Sequence, residues 1–222
     1  MTTILARVKQ AAQLPIRVPS IGVASLAYSG AVYASSFRAD LLDIDDPWWI
    51  VTVGLVLLLS PIYHAFVIRK TAAYQAGLTF SLREMPMESF GDLVVGELVV
   101  NALVVLGGML FLLPGVYVGL RSIYYKQITV LHKSRPLQAI KQSFLLTRNP
   151  RVVFTLFLFL AIAYCFPLGI DFLLPPTQAW WVHGIAILVS TAFIALVNVT
   201  ITLSFGELLT SPQPADEPEN SA

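Results

Sequence analysis

The chain has 222 residues, of which 56% are hydrophobic and only 12% are charged. Ordinary soluble domains contain about 25% charged residues, so this composition excludes a typical soluble globular protein. It also excludes an intrinsically disordered chain, because disordered chains lack apolar mass and carry high net charge, whereas 14 basic and 13 acidic residues here leave a formal net charge of +1. The near-neutral charge gives no reason to expect nucleic acid as a partner. The composition therefore indicates a membrane protein.

Six apolar segments predict an all-α membrane bundle with about six transmembrane helices. A helix that rises 1.5 Å per residue needs about 20 apolar residues to cross roughly 30 Å of hydrocarbon. A cytoplasmic amino-terminal segment precedes the spans and a disordered acidic tail follows them. The predicted ranges are 1–20 for the amino-terminal segment, 21–37, 48–67, 93–113, 116–131, 152–170 and 180–205 for the spans, and 209–222 for the tail.

Two parts of this topology leave an alternative open. Segment 21–37 is only moderately apolar, so it is either an uncleaved first helix or a signal peptide, and the long basic leader before it favours the helix. The 39 residues from Leu93 to Leu131 are too long for one ordinary crossing. Pro114–Gly115 near their centre predicts a tight turn between two helices, and one long kinked helix is the alternative.

The basic residues predict which side of the membrane each loop occupies, since cytoplasmic loops are enriched in Lys and Arg. With six crossings, eleven of the 14 basic residues fall on one face, and Arg38 alone falls on the opposite face. The other two, Arg121 and Lys126, lie inside the fourth span. Both termini are therefore expected in the cytoplasm.

The loop after the fourth span predicts a short amphipathic helix at the cytoplasmic interface. Pro136 suits a first helical position. The apolar residues that follow at helical spacing are Leu137, Ile140, Phe144 and Leu145. We expect this apolar side in the acyl boundary and the basic side chains near membrane lipids, including anionic ones. The basic patch consists of Lys133, Arg135, Lys141, Arg148 and Arg151. The favoured interpretation of this segment is a topology-setting basic loop that packs on its own bundle, and specific docking of a lipid or a partner is the alternative.

The same region also carries a family pattern. A Leu-Pro-Gly break at 113–115 precedes an apolar helix, a polar loop and a further span. The residues ahead of that span are Ala139, Ser143, Leu146, Thr147 and Arg148. This pattern covers about a fifth of the chain and resembles the central signature of the YciC-type bacterial inner-membrane proteins. It is similar also to the membrane domain attached to some glycerophosphodiester phosphodiesterases. The resemblance implies a six-helix inner-membrane module with no agreed reaction. The phosphodiesterase activity belongs to a separate soluble domain and is not expected here.

Ionisable residues at membrane depth are candidate site residues, because a charge at the centre of a membrane helix costs about 2.5–3.5 kcal/mol on insertion scales. Arg121, together with Lys126 and Tyr124, is the candidate contact for an anion or a lipid headgroup. The resembling family has a mostly apolar helix at this place, so these residues depart from its pattern. If the hairpin turns at its Pro-Gly pair, Glu97 lies level with His132, and we expect an intramembrane polar pair between them.

The sequence contains no recognised catalytic motif, and one cysteine with three scattered histidines predicts neither a metal site nor a cofactor. The favoured function is a non-enzymatic protein that organises the envelope or a membrane complex, through a membrane-protein partner or a second copy of the chain. One alternative is a small transporter or lipid-handling protein built around Arg121. The other is an intramembrane enzyme that uses Glu97, His132 and Arg121. A polar cavity open to one side would favour the transporter or lipid-handling protein.

Overall fold

The computed structural model describes the backbone of residues 2–39, 47–81, 84, 88–173 and 180–210. Within some of these ranges only the backbone is described, and nothing is stated of the side chains there. These residues form nine α-helices and no β-strand, which confirms the all-α prediction for the part of the chain that is described. The helices are α1 Thr2–Arg17, α2 Pro19–Ala39, α3 Pro47–Gln75, α4 Glu88–Leu110, α5 Leu112–Arg121, α6 Tyr125–His132, α7 Pro136–Leu146, α8 Pro150–Leu173 and α9 Trp180–Thr210. The predicted acidic tail lies outside the described residues from position 211 onward.

Two helices are long and apolar enough to cross a membrane, among the residues whose side chains are described. They cover Ser89–Leu110 in α4 and Gly184–Leu209 in α9. Only 17% and 33% of their most apolar windows are buried inside the molecule, whereas the core helix of a soluble protein is mostly buried. These two helices suggest a membrane protein, as the composition does. Helices also form over the predicted first, second and fifth spans, as α2, α3 and α8.

The carboxyl-terminal half of α9 is the centre of the helical packing. Every residue from Val199 to Phe205 is buried, because α1, α2, α3 and α8 all contact this helix. Helix α1 lies within residues 1–20, for which no secondary structure is predicted above. Its Ala11 and Leu14 are buried in the same core cluster as Leu203, and its Arg7 forms an ion pair with Glu207. The amino-terminal segment is therefore part of the fold.

The prediction that α4 and α5 turn at Pro114–Gly115 is wrong. The turn lies at Phe111, and Pro114 belongs to the first turn of α5, where a backbone N–H has no helical partner and proline therefore costs nothing. The two helices cross at glycines. A Cβ atom on Gly107 would lie 2.9 Å from the backbone nitrogen of Gly115. Because the turn comes earlier than predicted, each residue of α4 faces an earlier residue of α5 or α6 than expected.

The fourth predicted span, residues 116–131, is not one helix. Helix α5 ends at Arg121 and α6 begins at Tyr125. In a continuous α-helix the Tyr125 N–H would donate to the Arg121 carbonyl, but it donates to the Ser122 carbonyl at 3.0 Å. We call residues 122–124 the helix break. The Tyr124 N–H and the Arg121 carbonyl are left without an α-helical partner and need others.

Helix α7 forms as predicted, with Pro136 in its first turn. Of the four apolar residues predicted to face the acyl boundary, Ile140 is instead buried in the core. Leu137 and Leu145 are 71% and 61% exposed, whereas Ser143 and Thr147 are fully buried. The reason is the helix break. Helix α7 packs against α6 and α4, and it turns its hydroxyl groups toward the backbone groups that the break leaves without helical partners.

Candidate functional site

Hydroxyl groups from α7 satisfy the helix break. The Ser143 Oγ accepts the Tyr124 N–H at 3.1 Å and donates to the Arg121 carbonyl at 2.8 Å. The Oγ1 of Thr147, the C-cap residue of α7, lies 3.1 Å from the same carbonyl and 2.8 Å from the Ser143 carbonyl, so its one proton is shared between the two acceptors. Ser143 and Thr147 lie four residues apart and so share one face of α7. The buried backbone groups of the break therefore have hydrogen-bond partners, as buried polar groups of a folded protein normally do.

One side of the break carries a buried cluster of charged and polar side chains, which we call the ion-pair cluster: Ser60, His64, Glu97 and Lys126. The Lys126 Nζ lies 2.5 Å from the Glu97 Oε1. Ser60 donates to the same carboxylate oxygen at 3.0 Å, and the His64 Nδ1 lies 3.6 Å from it. Both imidazole nitrogens of His64 lie 3.3 Å from the Lys126 Nζ. The cluster joins α3, α4 and α6.

Polar contacts extend from this cluster to α2. The ring of Tyr63 lies 5.2 Å from the ring of His64 and stacks on Tyr28 at a centroid distance of 4.4 Å. The Tyr63 hydroxyl and the Ser25 Oγ are 3.0 Å apart and share a hydrogen bond. A band of polar side chains therefore crosses the bundle from α2 to α6. Such bands rigidify a membrane bundle when their hydrogen bonds are satisfied.

A groove lies between α5 and α8 and reaches Arg121, the residue before the break; we call it the arginine groove. It has a volume of about 420 Å³ and is lined by Tyr117, Leu120, Arg121, Arg148, Pro150, Val153, Phe154 and Phe157. Two guanidinium groups therefore line a groove whose other walls are mostly apolar. Among the described residues, no carboxylate lines this groove and no acidic side chain forms an ion pair with either arginine.

Arg121 is held in place from three sides. Its Nη2 donates to the Phe144 carbonyl at 2.6 Å. Its guanidinium carbon lies 5.4 Å from the ring centroid of Phe144 and 5.6 Å from that of Tyr117, distances at which a cation is attracted to an aromatic face. Its Nε is buried and has no hydrogen-bond partner among the described residues. Arg121 is thus fixed while part of its hydrogen-bonding capacity stays unused.

The candidate residues Arg121, Lys126 and Tyr124 do not share one site. Arg121 lines the arginine groove, whereas Lys126 forms an ion pair with Glu97 in the ion-pair cluster. Tyr124 is buried, and its ring lies 5.8 Å from that of Phe205. The break between Arg121 and Lys126 explains the separation, because α5 and α6 present their side chains to different neighbours.

The predicted pair of Glu97 and His132 is corrected to Glu97 and Lys126. The ring of His132 instead packs edge-on against Phe205 at 5.9 Å. The physical reason is the position of the turn, since a turn at Phe111 brings Lys126, six residues before His132, opposite Glu97. An intramembrane enzyme built from Glu97, His132 and Arg121 loses its geometric basis, because each of the three makes separate contacts.

The five basic residues predicted to form a patch at the cytoplasmic interface lie on and around α7. Lys133, Arg135, Lys141 and Arg148 are exposed, and the side chain of Arg151 lies outside the described residues. Arg148 has a second place in the molecule, because it also lines the arginine groove. The patch and the groove are therefore continuous at this residue.

Ser60, His64, Ser143 and Thr147 do not appear among the candidate site residues predicted from the sequence. For Ser143 and Thr147 a local signal exists, since two small hydroxyl residues four positions apart in an apolar-sided helix indicate a polar contact on that side. For Ser60 and His64 no local signal distinguishes them from ordinary polar residues of a membrane helix.

Comparison of the chain with protein-family models, with curated proteins and with solved structures found no match. The resemblance to YciC-type proteins therefore stays a prediction from the sequence.

Proposed function

We propose that this chain is a multi-pass protein of the bacterial inner membrane, with both termini in the cytoplasm, and that it binds an anionic lipid headgroup in the arginine groove. The six apolar segments, the basic residues of one face and the YciC-like pattern support the location. The observation that carries the binding function is the joint lining of one open groove by Arg121 and Arg148.

The chemistry of the groove fits the phosphate of a membrane lipid. Guanidinium groups donate paired hydrogen bonds to phosphate oxygens, and such charge-assisted bonds are about twice as strong as neutral ones. The apolar wall belongs to α8, where Phe154 and Phe157 are 61% and 42% exposed. A lipid whose phosphate lies between the two arginines can therefore continue its acyl chain along these rings into the bilayer.

Lipid binding is favoured over the organising role because the groove is open and two guanidinium groups line it without a carboxylate in the described part of the chain. The non-enzymatic organising role, its membrane-protein partner or second copy, and the absence of enzymatic activity stay predictions.

The experiment measures lipid binding to the full chain in nanodiscs or mild detergent by native mass spectrometry. Phosphatidylglycerol is the anionic probe and phosphatidylcholine the zwitterionic reference. We expect Arg121→Leu and Arg148→Gln each to weaken phosphatidylglycerol binding about tenfold or more, because a hydrogen bond to a charged group contributes about 1.5–3 kcal/mol. Arg148 is exposed, so its replacement tests the groove without disturbing the core.

Lys141→Gln is the matched control, because Lys141 is an exposed base of α7 that does not line the groove. It should change binding less than about twofold, as expected for a screened surface charge. The proposal is overturned if the wild-type chain does not prefer phosphatidylglycerol, or if both arginine variants behave like Lys141→Gln.

A further inference from the structure

The direction of Arg121 depends on the helix break. Arg121 is the last residue of α5, and its carbonyl is the group that the break releases from helical bonding. The only donors to this carbonyl among the described hydrogen bonds are the hydroxyls of Ser143 and Thr147, at 2.8 and 3.1 Å. The Arg121 side chain donates to Phe144 O, one residue along the same helix. Both ends of Arg121 are thus bound to α7.

A continuous helix is the competing structure for the same residues. In it, the Tyr124 N–H would donate to the Leu120 carbonyl and the Tyr125 N–H to the Arg121 carbonyl. The observed structure instead bonds Ile123 N–H to Leu120 O at 3.4 Å and Tyr125 N–H to Ser122 O at 3.0 Å. Ser143 compensates for this exchange, because its single hydroxyl accepts from Tyr124 and donates to Arg121.

Without those hydroxyls, the broken form would leave a buried N–H and a buried carbonyl unpaired, which is costly. The continuous form would leave neither unpaired. The free-energy difference between the broken and the continuous helix over residues 116–131 therefore depends on these hydroxyls. Neither Ser143 nor Thr147 lines the arginine groove, so they act on it only through the helix break.

We infer that Ser143 and Thr147 are positioning residues that keep the helix broken and so direct Arg121 into the arginine groove. The inference deepens the proposed function and rests on it for the identity of the ligand, an anionic lipid headgroup. The hydroxyl-bearing side of α7 stabilises the helix break through hydrogen bonds. The opposite side of α7 carries the exposed Lys141 and Leu145.

The test replaces both hydroxyl residues in the full chain, as Ser143→Ala with Thr147→Val, which removes the hydrogen bonds and keeps the side chains compact. Spin labels at positions 113 and 138, both exposed and on α5 and α7, report the distance between the two helices in a Cys165→Ala background. Phosphatidylglycerol binding is measured on the same unlabelled variants. Ser122→Ala is the matched control, because the Ser122 hydroxyl donates, among the described hydrogen bonds, only to Val118 O and Gly119 O of the preceding helix α5 and not to α7.

We expect the double variant to shift or broaden the distance distribution by about one helical turn, roughly 5 Å, and to bind phosphatidylglycerol about tenfold more weakly. Ser122→Ala should retain the wild-type distances and binding, and so should Thr147→Ser, which keeps the hydroxyl. An unchanged distance distribution in the double variant overturns the inference, whatever happens to binding. A changed distribution with unchanged binding also overturns it. If the wild-type chain shows no preference for phosphatidylglycerol, the proposed function fails instead, and the distance measurement still decides whether α7 holds the break.

Discussion

Replacing Lys126 with methionine removes the cation of the ion-pair cluster and keeps a long, flexible side chain in its place. The Lys126 Nζ and the Glu97 Oε1 are 2.5 Å apart, and the two side chains are only 22% and 11% exposed. Removal of one partner of a buried ion pair costs about 3–5 kcal/mol, because the other charge stays buried without compensation. We therefore expect Lys126→Met to lower the free energy of unfolding by about 3–5 kcal/mol.

A double-mutant cycle separates the ion pair from other effects of the substitution. Glu97→Gln alone should also be strongly destabilising, since Lys126 then lacks its counter-charge. The double variant leaves no unpaired charge, so it should cost clearly less than the sum of the two single variants. Reversible unfolding in mixed micelles, followed by tryptophan fluorescence, measures all four free energies. We expect a coupling energy of about 2 kcal/mol or more.

The ion pair between Arg7 and Glu207 supplies the control. The Glu207 side chain is 34% exposed, against 11% for Glu97, so solvent screens this carboxylate more, and Glu207→Gln should cost less than Glu97→Gln or Lys126→Met. If Lys126→Met is no more costly than Glu207→Gln, the pair of Lys126 and Glu97 is not desolvated. The register of α4 against α6, on which the corrected pairing depends, would then be refuted.

Two further predictions concern the α4–α5 hairpin and the topology. A Cβ atom on Gly107 would lie 2.9 Å from the backbone of Gly115, whereas one on Gly108 would meet nothing within 4 Å. Gly107→Ala should therefore lower the melting temperature. Gly108→Ala should leave the melting temperature unchanged or raise it, because alanine favours a helix over glycine by about 1 kcal/mol. Equal effects of the two substitutions would contradict the close crossing of α4 and α5. A reporter protein that is active only in the cytoplasm should be active when it is fused after Ser211. Activity of a reporter that works only outside the cytoplasm would contradict the proposed orientation of the carboxyl terminus.

The apolar runs of the sequence were sufficient to predict most of the helices. Helices α2, α3, α4, α8 and α9 cover the segments predicted as spans, because a long uncharged run has few alternatives to a helix. Helix α7 was also predictable, since Pro136 is compatible with a helix start and apolar residues recur behind it. These signals are local, and each can be read within about 20 residues of sequence.

The turn of the α4–α5 hairpin could not be predicted in the same way. Pro114 suits a turn, but it suits the first turn of a helix equally well, so the local signal does not choose between positions 111 and 114. The close approach of Gly107 to Gly115 involves two segments at once. An error of about three residues at the turn was enough to assign Glu97 the wrong partner.

The sequence by itself predicted the all-α class, which the described residues confirm, and it located the small number of charges that lie among apolar segments. It singled out Arg121, Lys126 and Glu97, because an isolated charge in an apolar run is rare and costly. Only the tertiary structure decided which of these charges form an ion pair with each other and which one lines an open groove. Lys126 pairs with Glu97, whereas Arg121 enters a groove with Arg148. The physical reason is the helix break, which depends on hydroxyl groups about 20 residues away in the chain and therefore leaves no trace in the local pattern around Arg121.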